Sequence, residues 1–355
     1  MALAFSEIPV VDVSPIWGSP AQRQRLADAL TEICHEVGFF VVTNHGVDSS
    51  LVDDVFAMMQ TFFAFPDETK RLIDKRNSPH FRGWEPVGAE STNNRPDIRE
   101  QIDLWSEWPA RPVPSSDSNE PANLRLLGPN QWLPDEVLPG HRALIDRWFE
   151  TLGHLADDLM RLLSLGLGLG EEHLCEYFGT EPMSLTKLIS YPPTPKGAAG
   201  VNAHHDTGFL TVLAPGTTPG LEVQNPDGQW IAVPPTPEAF VINLGEMFQA
   251  ITGNYFVATK HRVITKEPRM SAGYFHGPSL DAPLNLLPLP PTFAERVSAS
   301  PRHRDAGYMA ARAETEAGVG DMESSHRAQT YGEQLWNYFA RSYPDNMALH
   351  HADLL

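Results

Sequence analysis

Cysteine is nearly absent: Cys34 and Cys175 are the only two among 355 residues. Two thiols make no disulfide framework, which excludes the small stapled scaffolds of secreted proteins. Basic residues are also scarce, with 26 Lys and Arg against 45 Asp and Glu and a formal charge of −19. Phosphate backbones and anionic lipid headgroups are gripped mainly by Lys and Arg, so the balance argues against a nucleic-acid partner and against membrane docking. No apolar run reaches membrane-span length; the longest without a charge, Leu162 to Gly170, is short and glycine-rich. The opening residues MALAFSEIPVVDVS place no basic stretch ahead of an apolar core. No signal peptide is therefore expected, and the expected location is cytoplasmic.

What is present is a globular balance, 41% apolar and 20% charged. The length allows one large domain or two small ones. Ser19-Pro20 reads as an N-cap followed by proline at the first helical position. Leu26, Leu30, Ile33, Cys34 and Val37 then recur at helical spacing until Gly38. Phe39 to Thr43 is a strand. A second helix starts near Asp48, and a third covers roughly Leu144 to Leu165 with one leucine-rich face. Glu171 to Phe178 reads as a short helix. Residues 77 to 131 are rich in Pro, Ser and Asn and read as long loops, of the kind that cover binding sites. From Leu185 to Phe275 the texture is short apolar strands, with a turn at Asn225-Pro226-Asp227-Gly228. Tyr331 to Arg341 returns to an amphipathic helix. The order is not the βαβα alternation of a doubly wound fold; a β-core braced by helices at both ends fits it.

Fourteen histidines are the other excess. Most read as surface or core residues: His35, His154 and His173 on helices, His303 and His326 in polar stretches, His350 and His351 near a frayed end. His204-His205-Asp206 differs. Residues two apart on a strand share a face, so His204 and Asp206 present an imidazole and a carboxylate side by side. Those are two members of a two-histidine, one-carboxylate facial site, which leaves open positions on Fe(II). The third ligand must come from another strand, and His261 in the β-like KHRVI segment is the candidate. Arg269 and Ser271 again share a strand face. A guanidinium clamps a carboxylate bidentately and the hydroxyl adds a hydrogen bond, as an anionic cosubstrate inside a barrel requires.

Taken together, Ala203-His204-His205-Asp206, His261-Arg262-Val263 and Arg269-x-Ser271 resemble the iron(II)- and 2-oxoglutarate-dependent dioxygenases, and more narrowly their isopenicillin-N-synthase-like branch. The resemblance runs along nearly the whole chain. IPVVD, EVGFF with NHG, and FFAFPDETK are similar to the N-terminal region of that branch, and Tyr191-Pro192-Pro193 to its Tyr-Pro-Pro segment. Val241 to Glu246 resembles its Asn-x-Gly-Asp strand, with Glu246 where Asp is commoner, and TYGEQLWNYFARSYPD resembles the C-terminus of bacterial members. The interval from His261 to Arg269 is short for the pattern.

The resemblance implies a mainly β fold, a double-stranded β-helix (jelly roll) with flanking α-helices. It implies one integrated catalytic unit. Residues 1–130 would form the N-terminal region with lid loops, 131–183 the bracing helices, 184–285 the jelly-roll core and 286–355 the C-terminal loop and helix. It implies that His204, Asp206 and His261 hold Fe(II), that Arg269 and Ser271 bind the distal carboxylate of 2-oxoglutarate, and that Tyr191 helps position it. The activity implied is hydroxylation, desaturation or cyclisation of a small molecule, as in secondary metabolism, consuming O2 and releasing succinate and CO2. Phe209, Leu221 and Phe275 are candidates for an apolar lining, or ordinary barrel core. The loop from Phe81 to Asp103 holds Arg82, Trp84, Glu85, Arg95 and Arg99, usable on a polar or carboxylated substrate. A monomer or weak homodimer is expected. Three alternatives stay open at this point. An oxidase of the same family keeps an Arg-x-Ser pair yet dispenses with 2-oxoglutarate, or forms ethylene from it. A sensor would retain the metal site without turnover. A zinc hydrolase would use the same three ligands.

Overall fold

The run FFVVT is apolar on both of its faces, and the fold covers both. In the computed structural model, which describes residues 4–92, 95–111, 120–304 and 329–354, it becomes the second strand of the larger of two facing sheets. The first half of the chain supplies β1 (Val10–Asp12), α1 (Pro20–Glu36), β2 (Phe39–Thr43), α2 (Ser49–Phe63), α3 (Asp67–Lys70), β3 (Gly83–Glu85), the short β4 (Ser91–Thr92) and β5 (Arg95–Pro96), β6 (Glu100–Trp105) and α4 (His141–Gly166). Then come β7 (Leu185–Tyr191), β8 (Val201–His204), β9 (Leu210–Ala214), β10 (Leu221–Gln224), β11 (Trp230–Ala232), β12 (Phe240–Leu244), α5 (Glu246–Ile251), β13 (His261–Val263) and β14 (Arg269–His276). Helices α6 (Pro291–Ala299), α7 (Pro301–Arg304), α8 (Tyr331–Ser342) and α9 (Pro344–His350) follow.

The major sheet has eight strands in the order β1-β2-β12-β9-β14-β7-β6-β3, and the minor sheet four in the order β11-β10-β13-β8. All their strand pairings are antiparallel except β1 with β2. Strand alternation sorts the side chains into two cores. Phe39, Val41, Ile189, Tyr191, Val201, Leu221, Val223 and Val263 meet between the sheets. Phe40, Val42, Leu188, Val212 and Ile242 point the other way, onto Leu30, Leu152 and Leu159 of α1 and α4. Each such side chain contributes about 1.5–3 kcal/mol on full burial. This is the jelly roll with flanking helices that the sequence implies.

The helix boundaries follow the local signals. Ser19 caps α1 in a reciprocal box with Gln22, with Pro20 at the first position. Asp48 caps α2 by accepting from the Ser50 backbone N–H. Gly38 ends α1 at φ +69°, and a Cβ there would sit 2.0 Å from the Val257 carbonyl oxygen, so the turn into β2 requires glycine.

Four expectations need correction. Residues 77–131 are not all loop: β3 and β6 form the far edge of the major sheet, with β6 paired to β7. EQIDLW escapes notice because its inward residues are polar; the segment 112–119 lies outside the described residues. Arg82 and Trp84 are therefore buried wall residues rather than parts of a mouth. The Arg82 guanidinium donates to the His80 and Leu126 carbonyls. Only Leu174–Phe178 of the expected helix at 171–178 is helical, as a 3-10 turn that leaves His173 just before it. His351 is not frayed: it is buried, stacks on Phe81 and holds the Pro79 carbonyl. His326 lies outside the described residues.

His303, also expected in a polar stretch, is buried on α7 and stacks on His35 at 4.0 Å. Burial, reinforced by its neighbour His303, pushes His35 down from 6.5 to about 4. An unfolded chain takes up this proton near 6.5, whereas the folded chain resists it until about 4. Stability therefore rises with pH across that window and is lost as pH falls through it. Thermal melts from neutral pH down to about 4 should show the decline, and His35→Leu should flatten it.

Candidate active site

β8 and β13 pair so that His204 and His261 stand directly opposite each other. Their rings lie 4.2 Å apart, centroid to centroid. Asp206 sits just beyond the end of β8, in the turn toward β9, so strand alternation is not what places it beside His204. Its anchors are specific. Asp206 Oδ2 accepts from Thr211 Oγ1 at 2.6 Å and from Asn243 Nδ2 at 2.7 Å, and its carbonyl accepts the Glu246 N–H at 2.8 Å. The other carboxylate oxygen, Oδ1, is left 3.5 Å from the Nε2 atoms of both histidines.

The ring nitrogens are sorted the same way. His204 Nδ1 faces the Asn202 carbonyl at 2.9 Å and His261 Nδ1 the Thr259 carbonyl at 3.1 Å. A carbonyl is satisfied only by a protonated Nδ1, so each Nε2 carries its lone pair toward Asp206. Burial and the adjacent His204 push His261 down to about 4, so its ring is neutral at neutral pH. Burial alone would raise the Asp206 carboxyl, but His261, His204 and Thr211 outweigh it and hold it well below the usual range. One ligand atom from each of the three residues falls within 4.8 Å of the other two. Two neutral imidazoles and one carboxylate oxygen suit a divalent iron and leave the rest of its coordination sphere open to the cavity.

The cavity, about 390 Å³, lies between the sheets. Arg269 and Ser271 share the inward face of β14, and Arg269 stands across from Tyr191 of β7. The Arg269 side chain is buried, the residue being 3% exposed. Its guanidinium donates to Ser271 Oγ at 3.2 Å and to the Pro215 carbonyl at 3.1 Å, lies 5.0 Å from the Tyr191 ring centre, and its Nε has no hydrogen-bond partner. Ser271 Oγ in turn donates to Tyr191 Oη at 3.4 Å. Burial lowers the Arg269 pKa, and no carboxylate among the described residues is placed to offset it. A buried cation with spare donors is costly unless an anion arrives. The residues present thus fit both an iron and a dicarboxylate. Phe209, Leu221 and Phe275 all line the same cavity, as does Arg99, whereas Arg82, Trp84, Glu85 and Arg95 do not.

Sequence reasoning passed over Thr211 and Asn243 as ordinary strand residues. It also passed over three charges on the cavity wall, Glu90, Asp103 and Lys187. The available signal was a lysine inside LTKLISY and an aspartate inside EQIDLW, each interrupting a strand that is otherwise buried.

Comparison with known proteins agrees with the geometry. The family described as the non-haem dioxygenase in morphine synthesis N-terminal region matches residues 8–135, and the 2OG-Fe(II) oxygenase superfamily matches residues 176–278. A 2-oxoglutarate-dependent dioxygenase of Didymella fabae is 32% identical over 79% of this chain and 88% of its own. Homoarginine-6-hydroxylase 2-ODD-233 of Oryza sativa subsp. japonica is 30% identical over 79% of this chain and 89% of its own. Among solved structures, the dioxygenase for auxin oxidation in rice superposes with a TM-score of 0.60 at 25% identity, covering 79% of this chain and 87% of that one. A full-length Neurospora crassa protein solved in complex with alpha-KG shares the fold, with a TM-score of 0.69 at 23% identity over 79% and 88%. An oxidoreductase that uses Fe(II) and 2-oxoglutarate on a small molecule is what these matches and the cavity have in common, and the chain belongs to the 2-oxoglutarate- and iron(II)-dependent oxygenase family.

Proposed function

We propose that His204, Asp206 and His261 hold the iron and that Arg269 and Ser271, steadied by Tyr191, bind the distal carboxylate of 2-oxoglutarate. The observation that carries this is the buried Arg269 guanidinium, without a carboxylate partner among the described residues, in the same cavity as three converging ligand atoms. Bound there with O2, iron and 2-oxoglutarate supply an oxidant for a C–H bond and release succinate and CO2. The chain's residues do the rest. Thr211 and Asn243 keep Asp206 to one ligating oxygen. Thr259 and Asn202 fix the imidazole tautomers. Phe209, Leu221 and Phe275 exclude water from the reacting centre.

The substrate on this reading is a polar or carboxylated small molecule, and the rice relative's substrate, homoarginine, belongs to that class. No described helix is long and apolar enough to cross a membrane. With the acidic charge, this supports a cytoplasmic enzyme without nucleic-acid or membrane partners, acting as a monomer or weak homodimer. The four regions 1–130, 131–183, 184–285 and 286–355 act as one catalytic unit. The test is succinate release by the iron-loaded enzyme with and without candidate substrates. Stimulated release in step with substrate loss is expected; substrate oxidised with no succinate would overturn it.

A further inference from the structure

A row of charge crosses the inner face of the major sheet. Asp103 on β6 stands opposite Lys187 on β7. Glu90 and Arg99 lean in from the segment that joins β3 to β6. All four line the cavity that holds the metal triad. Lys187 Nζ lies 3.0 Å from Asp103 Oδ2 and 3.4 Å from Glu90 Oε2; Arg99 Nη2 lies 2.7 Å from Glu90 Oε2. Lys187 shares a strand face with Tyr191, four residues away, which puts it roughly 13 Å along β7 from the cosubstrate end. The row therefore sits where the far end of a substrate would lie, not where 2-oxoglutarate does.

Stability does not explain it. Buried ion pairs replaced by apolar side chains of similar volume are often neutral or stabilising. One member is also incompletely satisfied: Asp103 is 1% exposed, and its Oδ1 has no hydrogen-bond partner, while Oδ2 accepts from both Lys75 and Lys187. Both signs are present, which limits what can displace the pairs. A plain carboxylate drawn to Arg99 or Lys187 would strand Glu90 or Asp103. A plain amine would strand the cations. A zwitterion exchanges partners with the pairs and strands neither.

We propose that this mixed-charge wall recognises a free amino acid, its carboxylate on Arg99 and Lys187, its ammonium on Glu90 and Asp103, and its side chain running past Ile189 and Phe275 toward the metal. The proposal rests on the metal and cosubstrate assignments above. The test uses the iron-loaded protein with 2-oxoglutarate and, as probes, the standard amino acids and homoarginine. Succinate release is compared with each free probe and with its N-acetyl and methyl-ester forms. At least one free amino acid should raise release about tenfold above the substrate-free rate, and either blocking group should cut kcat/KM at least about tenfold, the scale of a charged hydrogen bond. Glu90→Gln keeps the side chain's shape and should bring the ratio of free to N-acetyl rates toward one. No response to any free amino acid, or equal rates with blocked forms, would overturn the proposal. Should the variant fail to fold, the wild-type panel decides alone. Substrate-free consumption of 2-oxoglutarate separates the two readings: its absence faults the metal site, and its presence with silent amino acids faults only the recognition of a zwitterion.

Discussion

Replacing His261 with alanine is expected to abolish iron-dependent turnover while leaving the protein folded. The loss should exceed about 100-fold, because perturbing mere outer contacts of a metal ligand already costs roughly 10- to 100-fold. Folding should survive because β13 keeps its backbone ladders to β8 and β10, and the lost ring had only an edge contact with Phe39. Calorimetric titration with Fe(II) under nitrogen and a thermal melt check the two halves separately. Two ligands would remain, His204 and Asp206. Asp206 would also lose the neighbour that does most to hold its carboxyl down, so its pKa should rise. Turnover at the wild-type rate would remove His261 from the ligand set.

Arg269→Ala is expected to raise the KM for 2-oxoglutarate far more than it lowers kcat at saturation. Truncating one partner of a buried, hydrogen-bonded charge pair costs about 2–5 kcal/mol, which corresponds to roughly 30-fold to a few thousandfold in affinity. Ser271 and Tyr191 remain and offer hydroxyls, but their mutual contact is already long at 3.4 Å. Arg269→Lys should fall between wild type and alanine, since it keeps the charge and loses the fork. Succinate release against 2-oxoglutarate concentration gives the split directly. An unchanged KM would mean that the dicarboxylate is held elsewhere.

The reactive end of the site was legible in the sequence because its chemistry is carried by few residues of unmistakable type. H-x-D, a later strand histidine and R-x-S each name a donor set. β8, β13 and β14 had only to bring them together. The geometry at Asp206 was less legible: the side chain is aimed by Thr211 and Asn243, contacts across β9 and β12 that no local pattern announces. The recognition wall was illegible for one physical reason that also hid a strand. In β6, Gln101, Asp103 and Trp105 face inward, so a buried strand carries polar residues where alternation leads one to look for apolar ones. Those charges are partnered by Lys75, Lys187 and Arg99, residues scattered over 113 positions of chain (75 to 187, counted inclusively). The termini misled in the opposite direction. His351 looked frayed by position, yet the ring of Phe81 and the Pro79 carbonyl hold it in place.

The seam between β6 and β7 has a consequence of its own. Everything that would oxidise hangs on β7 to β14, while Glu90, Arg99 and Asp103 hang on the β3-to-β6 excursion, joined to the barrel along a single backbone ladder. Backbone pairing does not depend on which side chains it carries. Such a chain can trade its recognition hairpin for another with little penalty to the oxidising half, so a lineage could inherit one reaction and try it on successive substrates.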